Sequence, residues 1–309
     1  MEGFDAFWSA LWGTNGYKEI HRRAKEGDTQ WVKNYLERGG NPNVKAVGEV
    51  TPLYLATEEG HFDIVRLLVE HGADPNQKAS GMFLDCTPIL VAMYRKDDKI
   101  IDFLLENGVE KDVYLAAGLG DLETLKELLQ DEENINSIRN TDPSKPYLRG
   151  TTLLHLATSR DSVDVVEFLL EKGAEVDIRD GDGYTPLHDA AGQNALKVAQ
   201  LLIEQGATVD ALCQDSSTPL HRASACGRVE MIELLLDNGA DINAIDGISR
   251  STPLHNAIGT NRIESVKILI TRGASLKIKK SFEETPLAQA RDLGKREEII
   301  KLLVASGAE

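Results

Sequence analysis

A short motif that recurs about every 33 residues constrains the fold of this chain most strongly. Thr-Pro-Leu-His, or a close relative of it, begins at seven threonines, and two degenerate copies begin at Lys18 and Lys111. The nine copies start at residues 18, 51, 87, 111, 152, 185, 218, 252 and 285. A fixed period of this length is typical of chains built from stacked copies of one supersecondary unit. The 309 residues are therefore predicted to form repeats.

Each copy carries the signals of two helices. Threonine is a good N-cap because its hydroxyl accepts a hydrogen bond from an unpaired backbone N–H, and proline is tolerated at the first helical position. A second stretch has apolar residues at helical spacing, as at Val165, Val166 and Leu169. Eight of these stretches end on a glycine suited to a helix C-terminus, and these are Gly39, Gly72, Gly108, Gly173, Gly206, Gly239, Gly273 and Gly307. Because one helix pair cannot bury its apolar face alone, the pairs must stack.

The segment from Asp180 to Ala191 reads Asp-Gly-Asp-Gly-Tyr-Thr-Pro-Leu-His-Asp-Ala-Ala. It resembles the ankyrin-repeat family, and the resemblance covers residues 17–309. The resemblance implies an all-α repeat solenoid, an ankyrin-type helix–turn–helix stack with short β-hairpin fingers on one edge and a concave binding face. On this basis one solenoid of nine repeats is expected, in place of the two domains that length alone suggests.

Three stretches depart from the regular pattern. Residues 1–16 precede the first repeat and carry apolar residues at helical spacing, namely Phe4, Phe7, Trp8, Leu11 and Trp12. We expect an amphipathic segment that caps the first repeat, with a docking helix for a partner or a membrane-surface helix as the alternatives. The 24-residue step from 87 to 111 predicts a missing finger near residues 109–112, and the 41-residue step to 152 predicts an insertion within residues 136–150. Neutral drift in loop length and adaptation to a ligand both remain open.

Histidines and cysteines are the side chains most suited to catalysis, metal binding or disulfide formation. Five histidines stand at the fourth position of the motif, where the resemblance implies hydrogen bonding between repeats: His21, His155, His188, His221 and His255. No metalloprotease, nucleophile-elbow or phosphate-loop motif is present. We therefore expect no enzyme activity, no cofactor and no metal site. The three cysteines are too few for a disulfide framework, which indicates reduced thiols in an intracellular protein, with Cys213 and Cys226 as free surface thiols.

The excess of acidic over basic residues limits the kinds of partner that the chain could bind. Acidic residues number 50 against 34 basic ones, a formal net charge of −16, and this disfavours nucleic acid. It fits a basic protein partner or no electrostatic partner. No apolar run is long enough to span a membrane, so we expect a cytoplasmic protein without membrane contact. The oligomeric state is left open, with a monomer favoured outside its complex.

Candidate binding residues follow from the resemblance, because the family binds through finger positions before the threonine and through the end of the first helix. Aromatic and arginine side chains dominate binding energies, and 14 of the 17 aromatic residues lie in residues 1–154. The main contact surface is therefore predicted in repeats two to five, since later repeats offer mostly small or polar groups. The candidates are Val47, Glu58, Glu59, Phe83, Leu84, Tyr94, Arg95, Leu119, Leu148, Arg149 and Arg160.

Two functions follow from these observations. The first is a non-enzymatic protein–protein interaction scaffold that binds its partner through the concave face of repeats two to five. The alternative is an inhibitor or immunity-type protein that masks a basic enzyme, such as a nuclease. The charge of −16 motivates the alternative because it would speed association with a basic patch.

Overall fold

The computed structural model describes residues 18–79, 86–129, 135–138, 150–294 and 296–309. Within these residues, eighteen helices follow one another as nine pairs. Each repeat has an inner helix, which begins at the motif, and an outer helix, which follows it. The loop from an outer helix to the next motif is called a finger, and it is numbered with the repeat that this motif begins. This confirms the all-α repeat fold. Strand pairing among the described residues is limited to one antiparallel bridge between Ala79 and Cys86, so the β-hairpin form of the fingers stays a prediction.

The described residues belong to two compact units. The first unit contains residues 18–79 and 86–112, and the second contains 113–129, 135–138, 150–294 and 296–309. In each unit, every inner helix packs on the inner helix of the next repeat. The helices of the first unit are α1 Glu19–Glu26, α2 Thr29–Glu37, α3 Pro52–Glu59, α4 Phe62–Glu70, α5 Pro88–Arg95 and α6 Asp98–Glu106.

The second unit contains six repeats. Its helices are α7 Val113–Leu119, α8 Leu122–Leu128, α9 Leu153–Ser159, α10 Val163–Glu171, α11 Pro186–Gln193, α12 Leu196–Glu204, α13 Pro219–Cys226, α14 Val229–Asp237, α15 Pro253–Gly259, α16 Ile263–Thr271, α17 Pro286–Asp292 and α18 Glu297–Ala305. Short 3₁₀ turns lie in two fingers, at Val47–Glu49 in the first unit and Ser281–Glu283 in the second. The grouping of all nine repeats into one solenoid stays a prediction.

The helices begin and end where the local signals predict. The hydroxyl of Thr51 accepts from the backbone N–H of Tyr54 at 3.2 Å, and proline follows at the first helical position. Outer helix α4 ends before Gly72, whose φ of 87° lies in the left-handed region that favours glycine. The N–H of Ala73 then donates to the carbonyl of Leu68, satisfying an acceptor that the helix end would leave open.

The core consists of small residues on the inner helices and aliphatic residues on the outer helices. Ala190 and Ala191 of α11 and Val198 and Leu202 of α12 have no exposed surface. The alanines allow neighbouring inner helices to approach closely, while the larger outer-helix side chains fill the space behind them. Burial of such side chains stabilises each repeat mainly through its neighbours.

The motif histidines join one repeat to the next. The ring of His188 faces its own repeat through Nδ1, which accepts from the backbone N–H of Thr185 at 3.1 Å. Its Nε2 donates to the carbonyl of Ser217 in the next finger at 3.0 Å. His155 and His221 make the same contacts to the carbonyls of Tyr184 and Ser251 at 3.0 Å. The prediction that the motif histidines bond between repeats is confirmed for these three residues.

This arrangement suits the neutral imidazole. Burial is the largest cause that lowers the pKa of His21 and His221, and it lowers those of His188 and His255 to about 4. Protonation of Nδ1 in His188 would also aim an N–H at the N–H of Thr185. The histidine row is therefore built for the neutral ring.

The cysteines differ from expectation in one respect. Cys86 and Cys213 are buried and Cys226 is half-buried, so the prediction of a surface thiol at Cys213 is wrong. Its Sγ donates to Oδ1 of Asp215 at 2.8 Å inside the finger of repeat seven. Burial, followed by this bond, raises the pKa of the thiol to about 11.

Two expected irregularities fall largely outside the described residues. Residues 1–17, which include the amphipathic segment 1–16, are outside them. So are residues 139–149, which make up most of the expected insertion within 136–150. Both expectations stay predictions, as does the missing finger near 109–112.

Candidate partner-binding surface

Four candidate residues share one surface of the first unit. Glu58 and Glu59 are the last residues of α3, and Tyr94 and Arg95 are the last residues of α5. Because α3 and α5 pack against each other, their C-terminal ends lie side by side. The guanidinium of Arg95 connects them by donating to the carbonyl of Glu58 at 2.6 Å and to that of Glu59 at 3.2 Å. These four residues are called the α3–α5 surface.

Tyr94 is the aromatic member of this surface and is 54% exposed. Tyr54, which replaces the motif histidine in repeat two, is 1% exposed and belongs to the core. The two tyrosines show that aromatic side chains of the early repeats lie both in the core and at the surface. An exposed tyrosine offers an apolar ring and a hydroxyl to a partner, a combination common in binding interfaces.

Arg95 also has a structural contact that sequence reasoning missed. Its donors lie at the C-terminus of α3, where free carbonyls and the helix dipole favour a cation. Other repeats obtain the same contact from a residue in the turn after the inner helix. These contacts are His61 to the Lys25 carbonyl, Arg228 to Gly192, Arg262 to Ala225 and Arg296 to Gly259.

Val47 lies on the finger of repeat two and is 42% exposed. The finger is closed by a bond from the N–H of Ala46 to the carbonyl of Val50 at 2.9 Å. Its turn passes through Gly48 and Glu49, both in the left-handed region. Val47 is thus presented to solvent at the start of a tight turn.

The remaining candidates are less available or undescribed. Leu119 at the end of α7 is half-buried, although its position predicted exposure, and Arg160 after α9 is half-buried as well. Phe83, Leu84, Leu148 and Arg149 lie outside the described residues.

The structure exposes a set of apolar side chains in late fingers that the sequence analysis did not select. They are Leu212, Ile245, Ile248 and Phe282, with exposures of 50%, 41%, 77% and 98%. Ile248 and Phe282 stand within four residues of the motif threonine, so the finger rule applied to repeats eight and nine could have found them. The expectation of mostly small or polar groups overlooked them.

In the second unit an arginine stacks on an aromatic ring. The guanidinium of Arg222 lies 4.5 Å from the centroid of the Tyr184 ring, and its Nη2 lies 3.4 Å from Oδ1 of Asp189. All three residues are half-buried. The contacts hold the arginine in one orientation at the inner-helix side of repeats six and seven.

The described residues offer neither a metal-binding cluster nor a membrane-spanning helix. Over the described residues, no three His, Cys, Asp or Glu side chains come together in a way that could hold a metal ion. Within the same part of the chain, every helix is too short or too polar to cross a membrane.

Most of the sequence matches patterns of known repeats. The family pattern "Ankyrin repeats (3 copies)" matches residues 20–114, 113–213 and 177–246, and "Ankyrin repeats (many copies)" matches 227–270. Rabankyrin-5 of Mus musculus is 31% identical over 183 residues, which cover 53% of this chain and 15% of the relative.

Two shorter matches are similar in kind. Ankyrin repeat domain-containing protein 39 of Homo sapiens is 39% identical over 74 residues, or 24% of this chain and 36% of that protein. Potassium channel AKT1 of Arabidopsis thaliana is 35% identical over 71 residues, or 23% of this chain and 7% of the channel. The chain spans only a minor part of each relative, at most 36% of its length. With nine helix pairs, a histidine row between repeats and family matches over most of its length, the chain belongs to the ankyrin-repeat family.

Proposed function

We propose that this chain is a non-enzymatic protein–protein interaction scaffold and that the α3–α5 surface contacts its partner. The family membership supports the general role, because ankyrin repeats mediate protein–protein interaction. The observation that carries the choice of surface is the 54% exposure of Tyr94 beside an anchored arginine.

The chemistry of the surface supports this choice. The bonds from Arg95 to two carbonyls hold its guanidinium in place before a partner arrives, which reduces the entropy lost on binding. Glu58 and Glu59 are the last residues of α3, and this helix packs against α5, which carries Tyr94 near its end. A partner that covers Tyr94 with an apolar group and places cations near these carboxylates would fit.

The other described candidates are proposed as further partner contacts, each in the unit to which it belongs. Val47 is proposed as a finger contact in the first unit, and Leu119 and Arg160 as contacts in the second. Phe83, Leu84, Leu148 and Arg149 stay predictions from the sequence.

A second function is favoured by the charge alone. With a net charge of −16, the chain would attract a basic protein at long range. An inhibitor or immunity-type role toward a basic enzyme such as a nuclease follows if the partner is such an enzyme.

The test uses Tyr94→Ala, because Ala225 already stands at the equivalent position of α13 and the change suits the fold. Val304→Ala is the matched control, since Val304 is 50% exposed on outer helix α18. Both variants and the unchanged chain are used for affinity purification from source lysate with quantitative mass spectrometry, followed by Kd measurement with the recovered protein.

We expect Tyr94→Ala to weaken binding about tenfold or more and Val304→Ala to leave it unchanged. Equal recovery and equal Kd for Tyr94→Ala would overturn the choice of surface. Affinity that stays constant as salt rises from low to moderate concentration would count against the basic-enzyme alternative.

A further inference from the structure

The finger of repeat nine carries a phenylalanine with an exposed side chain and an unfavourable backbone conformation. Phe282 is the middle residue of the turn Ser281–Glu283, and its side chain is 98% exposed. Its φ of 64° and that of Glu283, 60°, both lie in the left-handed region. A bulky residue in this region is an outlier, because its Cβ approaches the backbone too closely.

The finger of repeat two provides a matched comparison. Its turn, Val47–Glu49, has the same form, with Gly48 at φ 72° and ψ 23° where Phe282 has φ 64° and ψ 26°. Glycine adopts this conformation without strain. Glycine at position 282 would therefore make repeat nine more stable than phenylalanine does. Neither the backbone conformation of Phe282 nor the exposure of its side chain stabilises the fold. A strained residue that stabilises nothing around it points to a use outside the fold.

A second apolar side chain lies on the adjacent finger. Ile248 is 77% exposed in the finger of repeat eight. The N–H of Ser281 donates to the carbonyl of Ser249 at 2.8 Å, which fixes the two fingers to each other. The N–H of Gly247 donates to the carbonyl of Asp215 at 2.7 Å, which fixes them to repeat seven. Phe282 and Ile248 are thus held on a supported edge.

The charge around these two residues differs from that of the whole chain. Lys279 and Lys280 pair with Glu283 and Glu284 at 2.7 Å each. Arg250 and Lys277 are exposed and form no ion pair within 4.0 Å with the residues that the structure describes. The charge of Arg250 nevertheless helps to lower the pKa of the Glu283 carboxyl, after the larger effect of the bond from Lys279. In a chain of net charge −16, the two fingers thus carry two exposed cations outside ion pairs with the described residues, as well as the apolar side chains.

We propose that Phe282 and Ile248 anchor a folded protein partner that has an apolar pocket bordered by carboxylates. The shape argues for a folded partner, because a ring that is 98% exposed at the tip of a turn makes no pocket of its own and needs one supplied. The cations Arg250 and Lys277 argue for carboxylates at the rim. An anionic membrane fits less well, since a net charge of −16 opposes it.

This inference rests on the proposed function as an interaction scaffold but concerns a surface different from the α3–α5 surface. The first experiment places the photocrosslinker p-benzoylphenylalanine at position 282 of the full chain in source cells. The matched control places it at position 48, in the equivalent turn of repeat two. Mass spectrometry then identifies the protein and the residue crosslinked.

The second experiment measures Kd between the identified protein and variants of the chain. We expect crosslinks from position 282 to map to an apolar pocket with nearby Asp or Glu, and Phe282→Gly to weaken binding about 30-fold. Ile248→Ser and Arg250→Glu should weaken it as well. The melting temperature of Phe282→Gly should stay equal or rise, which separates lost contact from lost fold. Val304→Ala, at an exposed position of α18, should leave this Kd unchanged. Phe282→Gly and Tyr94→Ala are measured side by side, so an effect of one variant without the other distinguishes failure of this inference from failure of the α3–α5 surface.

Several results would overturn the inference. One is the absence of any protein whose crosslinking depends on position 282, and another is equal Kd for Phe282→Gly and the unchanged chain. A crosslink to an unstructured peptide would reject the folded partner. Binding that depends on Phe282 to vesicles of phosphatidylcholine with phosphatidylserine would assign the fingers to a membrane. Dimerisation that depends on Phe282 in sedimentation velocity would assign them to a second copy of the chain.

Discussion

Acidification should destabilise the second unit through its buried histidines. Burial lowers the pKa of His188 and His255 to about 4, whereas an unfolded histidine titrates near 6.5. The folded state therefore binds fewer protons than the unfolded state between these values. Stability from the neutral rings is complete above pH 6.5, falls as the pH drops toward 4, and changes no further below that.

The magnitude follows from these two pKa values. At pH 5 an unfolded histidine is almost fully protonated, while the folded ring is mostly neutral. The difference is about 2 kcal/mol for each histidine, or about 4 kcal/mol for the pair, relative to pH 7. This is a large part of the 5–15 kcal/mol that stabilises a typical protein.

The assay combines two measurements. NMR titration reports the pKa of each imidazole directly, and urea unfolding followed by circular dichroism reports stability at pH 7, 6 and 5. His188→Gln removes one titrating ring, so its loss of stability between pH 7 and 5 should be about 2 kcal/mol smaller than that of the unchanged chain. Val304→Ala, at an exposed position of α18 that carries no titrating group, should keep the pH dependence of the unchanged chain. Titration of His188 near 6.5, or an equal pH dependence for His188→Gln, would refute the reasoning.

Three further predictions concern individual side chains. Arg95→Ala should lower the free energy of unfolding by about 1 kcal/mol, because the carbonyls of Glu58 and Glu59 lose a charged donor at an exposed site; an unchanged urea midpoint would contradict this. Thr218→Ala should lower it by about 1 to 2 kcal/mol through loss of the N-cap of α13 and of the contact with His221, and hydrogen exchange in α13 should increase. Phe282→Gly should raise it by about 0.5 to 1 kcal/mol, and Gly48→Phe in the matching turn should lower it by about 1 kcal/mol. Equal effects of the same sign in both turns would disprove the strain.

Much of the fold could be predicted from the sequence because the signals that specify it are local and repeated. The threonine cap, the proline after it and the terminal glycine each act within a few residues of the chain. Because these signals recur at constant spacing in most repeats, they could be recognised from the sequence. The role of the motif histidines was also predictable, since the rings of His155, His188 and His221 each contact a carbonyl about 30 residues later in the chain.

The candidate site was only partly predictable. Tyr94 was selected correctly as an exposed residue, but Leu119 is half-buried and Arg95 serves the end of α3 as well as the surface. These differences depend on where a side chain points after its repeat has packed on the next. The position of a residue in the motif predicts its backbone conformation well, but it predicts the exposure of its side chain less well.

The sequence by itself determined that the chain forms helix pairs, where those pairs begin and end, and which side chains link successive repeats. These features arise from capping, helical spacing and a constant period, all of which are written along the chain. Only the tertiary structure decided that Cys213 is buried against Asp215 and that Phe282 stands in a glycine-like conformation with its ring in solvent. Such features depend on contacts across neighbouring fingers and on backbone angles in a turn, neither of which leaves a regular pattern in the order of residues.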